Sequence, residues 1–368
     1  MEPSAAPRCP ACAEPVHADD DFCEACGRPL RGAAPPSFQP VPVPPAPALR
    51  TPPPGPPPAP QSRPAAAPCA ECGGTDISAD GYCEQCGLRQ PSGREHVEIE
   101  TAAAVGVSDR GLRHSRNEDA MAVASACGKV VAVVCDGVSS APRPEDASRV
   151  AAETGAAMLT AQLTAGADPR EATRAALARA GKAVAALADS PHDAPACTYV
   201  SAVVDDTAVT VGWTGDSRAY WISGGDGARP SAALTVDDSW AARMVELGLM
   251  TPAEAHADRR AHTVTAWLGA DAGAIRPRAE TFEPGGSGAV LLCSDGLWNY
   301  LPEAAELAEA VHTARARDPR RPPLEIVRTL VRTALEAGGH DNITVVLIPF
   351  PPSRAEAADR VPHGEARS

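Results

Sequence analysis

Six acidic side chains stand beside apolar runs that have the length of strands. Asp136 follows residues 130–135, Asp216 lies in a Gly-Asp-Ser-Arg turn, Asp295 follows residues 290–294, and Asp341 precedes residues 343–348. Glu118 and Asp119 form a further pair after a polar loop. A strand end carries its side chain to the rim of a sheet, so carboxylates from different strands can converge on one point. There they repel one another and take up protons unless a cation neutralises them. Hard divalent ions with oxygen ligands, Mn²⁺ or Mg²⁺, suit such a point. A single Asp-Gly pair is commonly a turn. Two such pairs at strand ends, Asp136-Gly137 and Asp295-Gly296, together with Gly-Asp-Ser-Arg and Asp-Asn-Ile-Thr, are far more specific.

The cysteines point to a second kind of metal chemistry. Cys9, Cys12, Cys23 and Cys26 follow a C-x2-C-x10-C-x2-C spacing, and Cys69, Cys72, Cys83 and Cys86 repeat it. Loops this short bury no core of their own and need a staple, for which a tetrahedral thiolate Zn²⁺ site is the usual choice. Two Zn²⁺ ions are expected, both structural, because four thiolates leave no open position for chemistry. The remaining cysteines, Cys127, Cys135, Cys197 and Cys293, sit among small and aliphatic residues and are expected to be buried apolar side chains.

These residues need a scaffold, and the composition divides the chain. Residues 33–68 hold 16 prolines and no periodic apolar pattern, as in an extended spacer. The expected organisation is a zinc ribbon at 1–32, a Pro-rich linker at 33–68, a second ribbon at 69–90, a short linker at 91–98, a folded domain at 99–350 and a disordered tail at 351–368. Within the domain, residues 130–135, 200–204, 208–213, 219–222, 290–293 and 343–348 read as strands, with Asp205 and Asp206 in a hairpin turn. Residues 145–163, 169–187 and 324–336 read as helices. Consecutive hairpins between groups of helices argue for antiparallel sheets covered by helices, an α+β arrangement.

Charge and hydropathy exclude some classes of function. The net charge of −14 leaves no overall basic field, and acids surround both cysteine loops, so no nucleic-acid partner is expected. There is no apolar run of spanning length and no signal-peptide pattern at the start, so a cytoplasmic location without a membrane span is the expectation.

The ordered set of acidic motifs resembles the PPM family, the type 2C-like metal-dependent Ser/Thr protein phosphatases, in its bacterial form. The likeness covers about residues 101–350. It rests on Ser108-Asp109-Arg110-Gly111, Asn117-Glu118-Asp119, Val134-Cys135-Asp136-Gly137, Thr198-Tyr199-Val200, Gly215-Asp216-Ser217-Arg218, Thr251-Pro252, Ser294-Asp295-Gly296 and Gly339-His340-Asp341-Asn342.

The resemblance implies a four-layer α-β-β-α sandwich of two mainly antiparallel sheets with the site at one end. It implies that Asp136 bridges two Mn²⁺ or Mg²⁺ ions, with the Gly137 carbonyl on one of them. Asp295, Asp341 and Glu118 would complete the second ion's shell through direct or water-mediated contacts, with Asp119 in support. Asp216 with Asp295 would form a third, weaker metal site, and the segment from 237 to 268 would be a flap beside it. The implied reaction is hydrolysis of phosphoserine and phosphothreonine in proteins by direct attack of water, opposing Ser/Thr kinases. Cys135 and Cys293 would then not be nucleophiles.

Five positions, in three places, depart from the family pattern. Val138, Ser139 and Ser140 stand where Met-Gly-Gly is usual, giving a stiffer loop. Asp238 replaces a common His and is expected on the flap surface. His114 occupies the position of a phosphate-gripping Arg, with Arg113 and Arg116 beside it as alternatives. Phosphoproteins are the implied substrates, and the ribbons are candidate protein-docking modules. The alternative is a zinc-ribbon adaptor whose phosphatase-like domain is weakly active or only binds phosphoproteins.

Overall fold

Hydrophobic patterning explains most of the strands in the computed structural model, which describes residues 74–78, 83–86, 93–190, 193–225, 227–273, 277–316 and 322–352. These residues all fall in one unit of the chain, Ala65–Ser368. β1 (His96–Glu100) alternates exposed and half-buried positions, as an edge strand does, whereas β2 (Val105–Asp109) is almost fully buried. β3 (Ala120–Ala126) and β4 (Lys129–Cys135) form a hairpin. Its turn residues Cys127 and Gly128 have φ of 50° and 75°, which two-residue hairpins favour. Next come α1 (Pro144–Thr164) and α2 (Pro169–Ala185), each with proline in its first turn, where the missing N–H is harmless. β5 (Ala196–Cys197), β6 (Tyr199–Val204), β7 (Val209–Thr214), β8 (Arg218–Ser223) and β9 (Ala232–Ala233) lead to two short helices, α3 (Trp240–Glu246) and α4 (Pro252–Ala257). The chain closes with β10 (Leu268–Gly269), β11 (Arg278–Phe282), β12 (Gly288–Cys293), α5 (Asp295–Trp298), α6 (Ala304–Ala316), α7 (Pro323–Glu336) and β13 (Ile343–Phe350).

The strands form two larger sheets, β1-β2-β13-β12-β8-β9 and β11-β7-β6-β4-β3, and β5 pairs with β10. Every one of these pairings is antiparallel. The period-two rule distributes β4 between two cores. Val130, Ala132 and Val134 meet Val290, Leu292 and Val346 between the sheets, while Val131 and Val133 pack with Ala151, Leu159 and Leu177 of α1 and α2. On the far side, Tyr220, Leu291 and Val345 pack against Leu307 of α6 and Leu330 of α7. The result is the expected α-β-β-α sandwich of antiparallel sheets.

Several expectations need correction. The folded domain begins before residue 99. β1 starts at His96, whose Nδ1 lies 2.6 Å from Asp109 Oδ2, and Arg328 Nε of α7 donates to Glu98 Oε1 at 2.7 Å. A five-residue edge strand of alternating exposure looks like a linker in sequence. Cys127 is exposed in the β3–β4 turn rather than buried. Asp238 is no surface residue of the flap: it accepts from the Gly215 amide at 3.0 Å and pairs with Arg278.

Of the zinc candidates, Cys9, Cys12, Cys23, Cys26, Cys69 and Cys72 lie outside the described residues, as do the 33–68 linker and residues 353–368. Cys83 is buried and Cys86 exposed, and Ile77 bridges antiparallel to Cys83. Among the described residues, no helix is long and apolar enough to cross a membrane.

Candidate active site

The acids gather at one end of the sandwich because both sheets deliver them there. β4 of one sheet runs into Asp136, and β3 of the same sheet begins just after Asp119. In the other sheet, β12 runs into Ser294 and Asp295, and β13 begins two residues after Asp341. Asp216 sits in the link by which the chain passes from β7 in one sheet to β8 in the other.

Close backbone approach makes this convergence possible. A Cβ on Gly137 would stand 2.7 Å from the carbonyl oxygens of Glu118 and Pro144, and one on Gly296 would stand 1.9 Å from that of Asn342. Both Asp-Gly pairs therefore require glycine on packing grounds.

Polar neighbours fix the loops. Asn342 accepts from the Glu118 amide at 2.7 Å, and its side-chain NH₂ donates to the carbonyls of Arg110 and Arg116 at 2.8 and 3.0 Å. It thereby pins the whole 110–118 loop to the start of β13. Ser148 Oγ of α1 donates to the Glu118 carbonyl, and Ser139 Oγ donates to Glu118 Oε2 at 2.5 Å. Thr198 holds Asp136 from both sides: its hydroxyl accepts from the Asp136 amide at 3.1 Å, and its own amide donates to the Asp136 carbonyl at 2.8 Å. Sequence reasoning assigned no role to Asn342, Thr198, Ser148 or Ser139. The usable signal was a polar side chain next to an acidic one where an apolar strand begins or ends.

The electrostatics are those of carboxylates crowded out of water. Burial, then the charges of Asp295 and Asp341, push Asp119 up to about 7, although Ser294 Oγ donates to its Oδ2 at 2.7 Å. Burial and then Asp119, Asp295, Asp341 and Asp216 push Asp136 well above the usual carboxylate range. Burial and then Asp295 push Asp216 up to about 8, and burial and then Asp341 push Asp295 up to about 6. One oxygen of Asp119 and one of Asp295 are buried without a hydrogen-bond partner. Buried acceptors left unsatisfied are costly, and a hard divalent cation would satisfy them and lower the repulsion together. Among the described residues, no three His, Cys, Asp or Glu side chains close a ready-made cage around one point. Small hard cations keep several waters and take only one or two carboxylates each, so this donor set fits them.

His114 lies at the rim, its Nε2 3.2 Å from Asp341 Oδ1. Arg116 donates to Glu145 Oε1 at 2.5 Å and keeps its Nε 3.6 Å from Glu118 Oε1, and Arg113 is exposed. Beneath Asp216, Trp298 Nε1 donates to its carbonyl at 2.9 Å, and Arg218 stacks 3.8 Å above the Trp298 ring while gripping Asp237 with two nitrogens. The flap reaches the same tryptophan, with the His262 ring 5.7 Å away. The structure thus brings Glu118, Asp119, Asp136, Asp216, Asp295, Asp341 and His114 to one end of the sandwich.

The chain is similar to known families and proteins along most of its length. Residues 9–87 match the family model described as Double zinc ribbon, a span that includes all eight cysteines of the repeat. The chain is 27% identical over 243 residues to the serine/threonine protein phosphatase PstP of Mycobacterium tuberculosis, covering 65% of this chain but only 43% of that one, so it spans less than half the length of this relative. It is 25% identical over 246 residues to the serine/threonine phosphatase stp of Listeria monocytogenes, covering 66% and 93% of the two chains. Among solved structures, the M. tuberculosis phosphatase PstP/Ppp superposes with a TM-score of 0.55 at 25% identity, over 69% of this chain and 99% of that one. The Mycobacterium smegmatis PPM Ser-Thr phosphatase MsPP, solved in complex with cacodylate, superposes with a TM-score of 0.53 at 28% identity, over 68% and 100%. Residues 110–330, more than half of the chain, match the family model described as Protein phosphatase 2C, and the protein belongs to that family.

Proposed function

We propose that this protein hydrolyses phosphoserine and phosphothreonine in proteins at a site built on Asp136, Gly137, Asp295, Asp341 and Glu118, with Asp119 in support. The observation that carries this is the convergence of buried and half-buried, mutually repelling carboxylates from both sheets, two of them with a buried oxygen left unpartnered. Asp136 and the Gly137 carbonyl would hold two Mn²⁺ or Mg²⁺ ions, Asp295, Asp341 and Glu118 would complete one shell directly or through waters, and Asp216 with Asp295 would hold a third. Bound there, such ions supply charge neutralisation for a phosphate dianion and an activated water. The chain's own residues do the positioning. Thr198 fixes the Asp136 backbone, Asn342 fixes the loop that carries Glu118 and His114, and Ser294 orients Asp119. His114, beside Asp341, would contact a phosphate oxygen as the protein's own donor, while Arg116 is engaged with Glu145 and Glu118. Cys135 and Cys293 are buried and burial raises both thiols, which suits packing rather than nucleophilic attack.

In this reading the eight N-terminal cysteines form two structural Cys₄ zinc sites that present a docking surface for phosphoprotein partners. The direct test is turnover of p-nitrophenyl phosphate and of a phosphothreonine peptide by the full-length protein, with and without added Mn²⁺. Metal-dependent turnover of both is expected, and no turnover of either under metal-replete conditions overturns the assignment.

A further inference from the structure

Beside the acidic cluster runs a groove of about 480 Å³, bounded by Val138, Pro142 and Ala196 on one side and by Val264, Trp267 and Asp271 on the other. It begins two residues beyond Asp136, and its walls are braced. The Val138 amide donates to the Ala196 carbonyl at 2.9 Å, and the Ala141 amide donates back to the Val138 carbonyl at 2.8 Å. The stiff Val-Ser-Ser-Ala-Pro turn is therefore a wall of this groove. Opposite, Ser239 bridges to Val264, and Leu268, the residue after Trp267, pairs with Cys197. Trp267 is thus anchored next to a strand of the site's own framework, at the point where the flap rejoins it.

The groove is lined mainly by apolar side chains, with the hydroxyls of Ser140 and Thr263 and one charged group, Asp271. Trp267 Nε1 donates to Asp271 Oδ1 at 2.9 Å, and among the described residues no cation pairs with Asp271. A carboxylate beside an indole is the complement of a long cationic side chain. The carboxylate attracts the charge, the aromatic face adds a cation–π contribution, and the aliphatic stem covers apolar walls. The chain's net charge of −14 favours basic segments in the same direction. Volumes of this order are typical of sites that take a small ligand or a few side chains.

We propose that this groove selects substrates with an arginine or lysine close to the phosphorylated serine or threonine, Asp271 and Trp267 receiving the basic side chain. The proposal rests on the phosphatase reading above, which sets the phosphorylated residue at the Asp136 cluster and leaves its chain neighbours to lie along the groove. Asp271 and Trp267 are then specificity-determining residues rather than catalytic ones.

The test uses the full-length protein and phosphothreonine peptides with Arg, Ala or Glu scanned through the four positions on each side. For at least one position, wild-type kcat/KM with Arg should exceed that with Glu by roughly three- to tenfold, as expected for a partly exposed ion pair with an aromatic contribution. The preference should shrink in high salt. Asp271→Asn should reduce the Arg-to-Glu ratio towards one, and Asp271→Lys should invert it. Asp271 is exposed, so the charge reversal does not threaten the core. Equal use of Arg and Glu peptides by the wild type, or an Arg preference that survives Asp271→Lys, overturns the proposal. p-Nitrophenyl phosphate separates the two levels: metal-dependent turnover of it without any Arg preference sinks the groove alone, whereas no turnover of any substrate sinks the phosphatase reading and the groove with it.

Discussion

Asp119→Asn separates the charge of the acidic cluster from its shape. The Asp119 carboxyl is pushed from 3.8 up to about 7 by burial and then by Asp295 and Asp341. A carboxyl that holds its proton more tightly when folded makes the folded state the better proton binder between the two values. Stability is therefore full below about pH 4 and is lost as pH rises through about 7. At about 1.36 kcal/mol per pKa unit, the ionised residue destabilises the metal-free domain by ~4 kcal/mol at pH 8. Asparagine removes that charge, but it sets an N–H or a carbonyl at the oxygen position that has no partner, which costs about 1–3 kcal/mol.

The net gain of ~1–3 kcal/mol corresponds to a melting temperature higher by roughly 3–10 °C for a domain of this size. All five tryptophans lie between residues 213 and 298, so tryptophan fluorescence reports this domain alone. In EDTA the variant should melt above wild type at pH 8 and lose the advantage at pH 4.5, where the wild-type carboxyl is protonated. Saturating Mn²⁺ should erase the difference at pH 8, because an ion that binds only the folded state stabilises wild type by mass action. A metal-free wild-type protein that becomes more stable between pH 5 and pH 8, or a variant whose advantage ignores both pH and metal, refutes the reasoning.

Asp136→Asn and Asp295→Asn should each lower turnover of p-nitrophenyl phosphate by on the order of a thousandfold, since each weakens a site worth several kcal/mol of charge stabilisation; fluorescence melts check that the fold survives. Asn342→Ala removes three hydrogen bonds to the 110–118 loop and should destabilise the domain by about 2–4 kcal/mol, with faster amide exchange in that loop. His114→Ala should raise KM for a phosphothreonine peptide several-fold while His114→Arg lowers it, and identical KM values in all three proteins would return the phosphate contact to a neighbouring arginine. Full-length protein purified under reducing conditions should contain about two zinc ions per chain by elemental analysis.

The parts of the fold legible in the sequence were those with a strong local pattern. Residues 130–135 are an unbroken apolar run and 343–348 one interrupted only by Thr344, and β4 and β13 lie there within two residues at either end. The Ala-rich stretches from 145 and 169 became α1 and α2, and the diaspartate became a turn because Asp205 Oδ1 accepts from the Thr207 and Ala208 amides. β1, β2, β3 and β11 were not foreseen. β3 is Ala-Met-Ala-Val-Ala-Ser-Ala, whose alanines carry no strand preference, and pairing with β4 along its whole length makes it a strand. Register across sheets is decided by partners far away in the chain, which no local window contains.

The same distinction separates the acids from the groups that hold them. An aspartate at the end of an apolar run announces itself, because an ionisable group at a sheet rim has few structural uses. Asn342 does not, since its value lies in reaching the carbonyls of Arg110 and Arg116 more than 220 positions earlier. Asp238 misleads for a related reason. An acid between a loop and a short helix ordinarily belongs to the surface, yet here it accepts from the amide of Gly215, whose φ of 94° and contact with Thr198 leave no room for a side chain. Thr198 in turn holds the Asp136 backbone. The contacts run from Asp238 at the base of the flap through Gly215 and Thr198 to Asp136, so the flap and the acidic cluster share one set of supports.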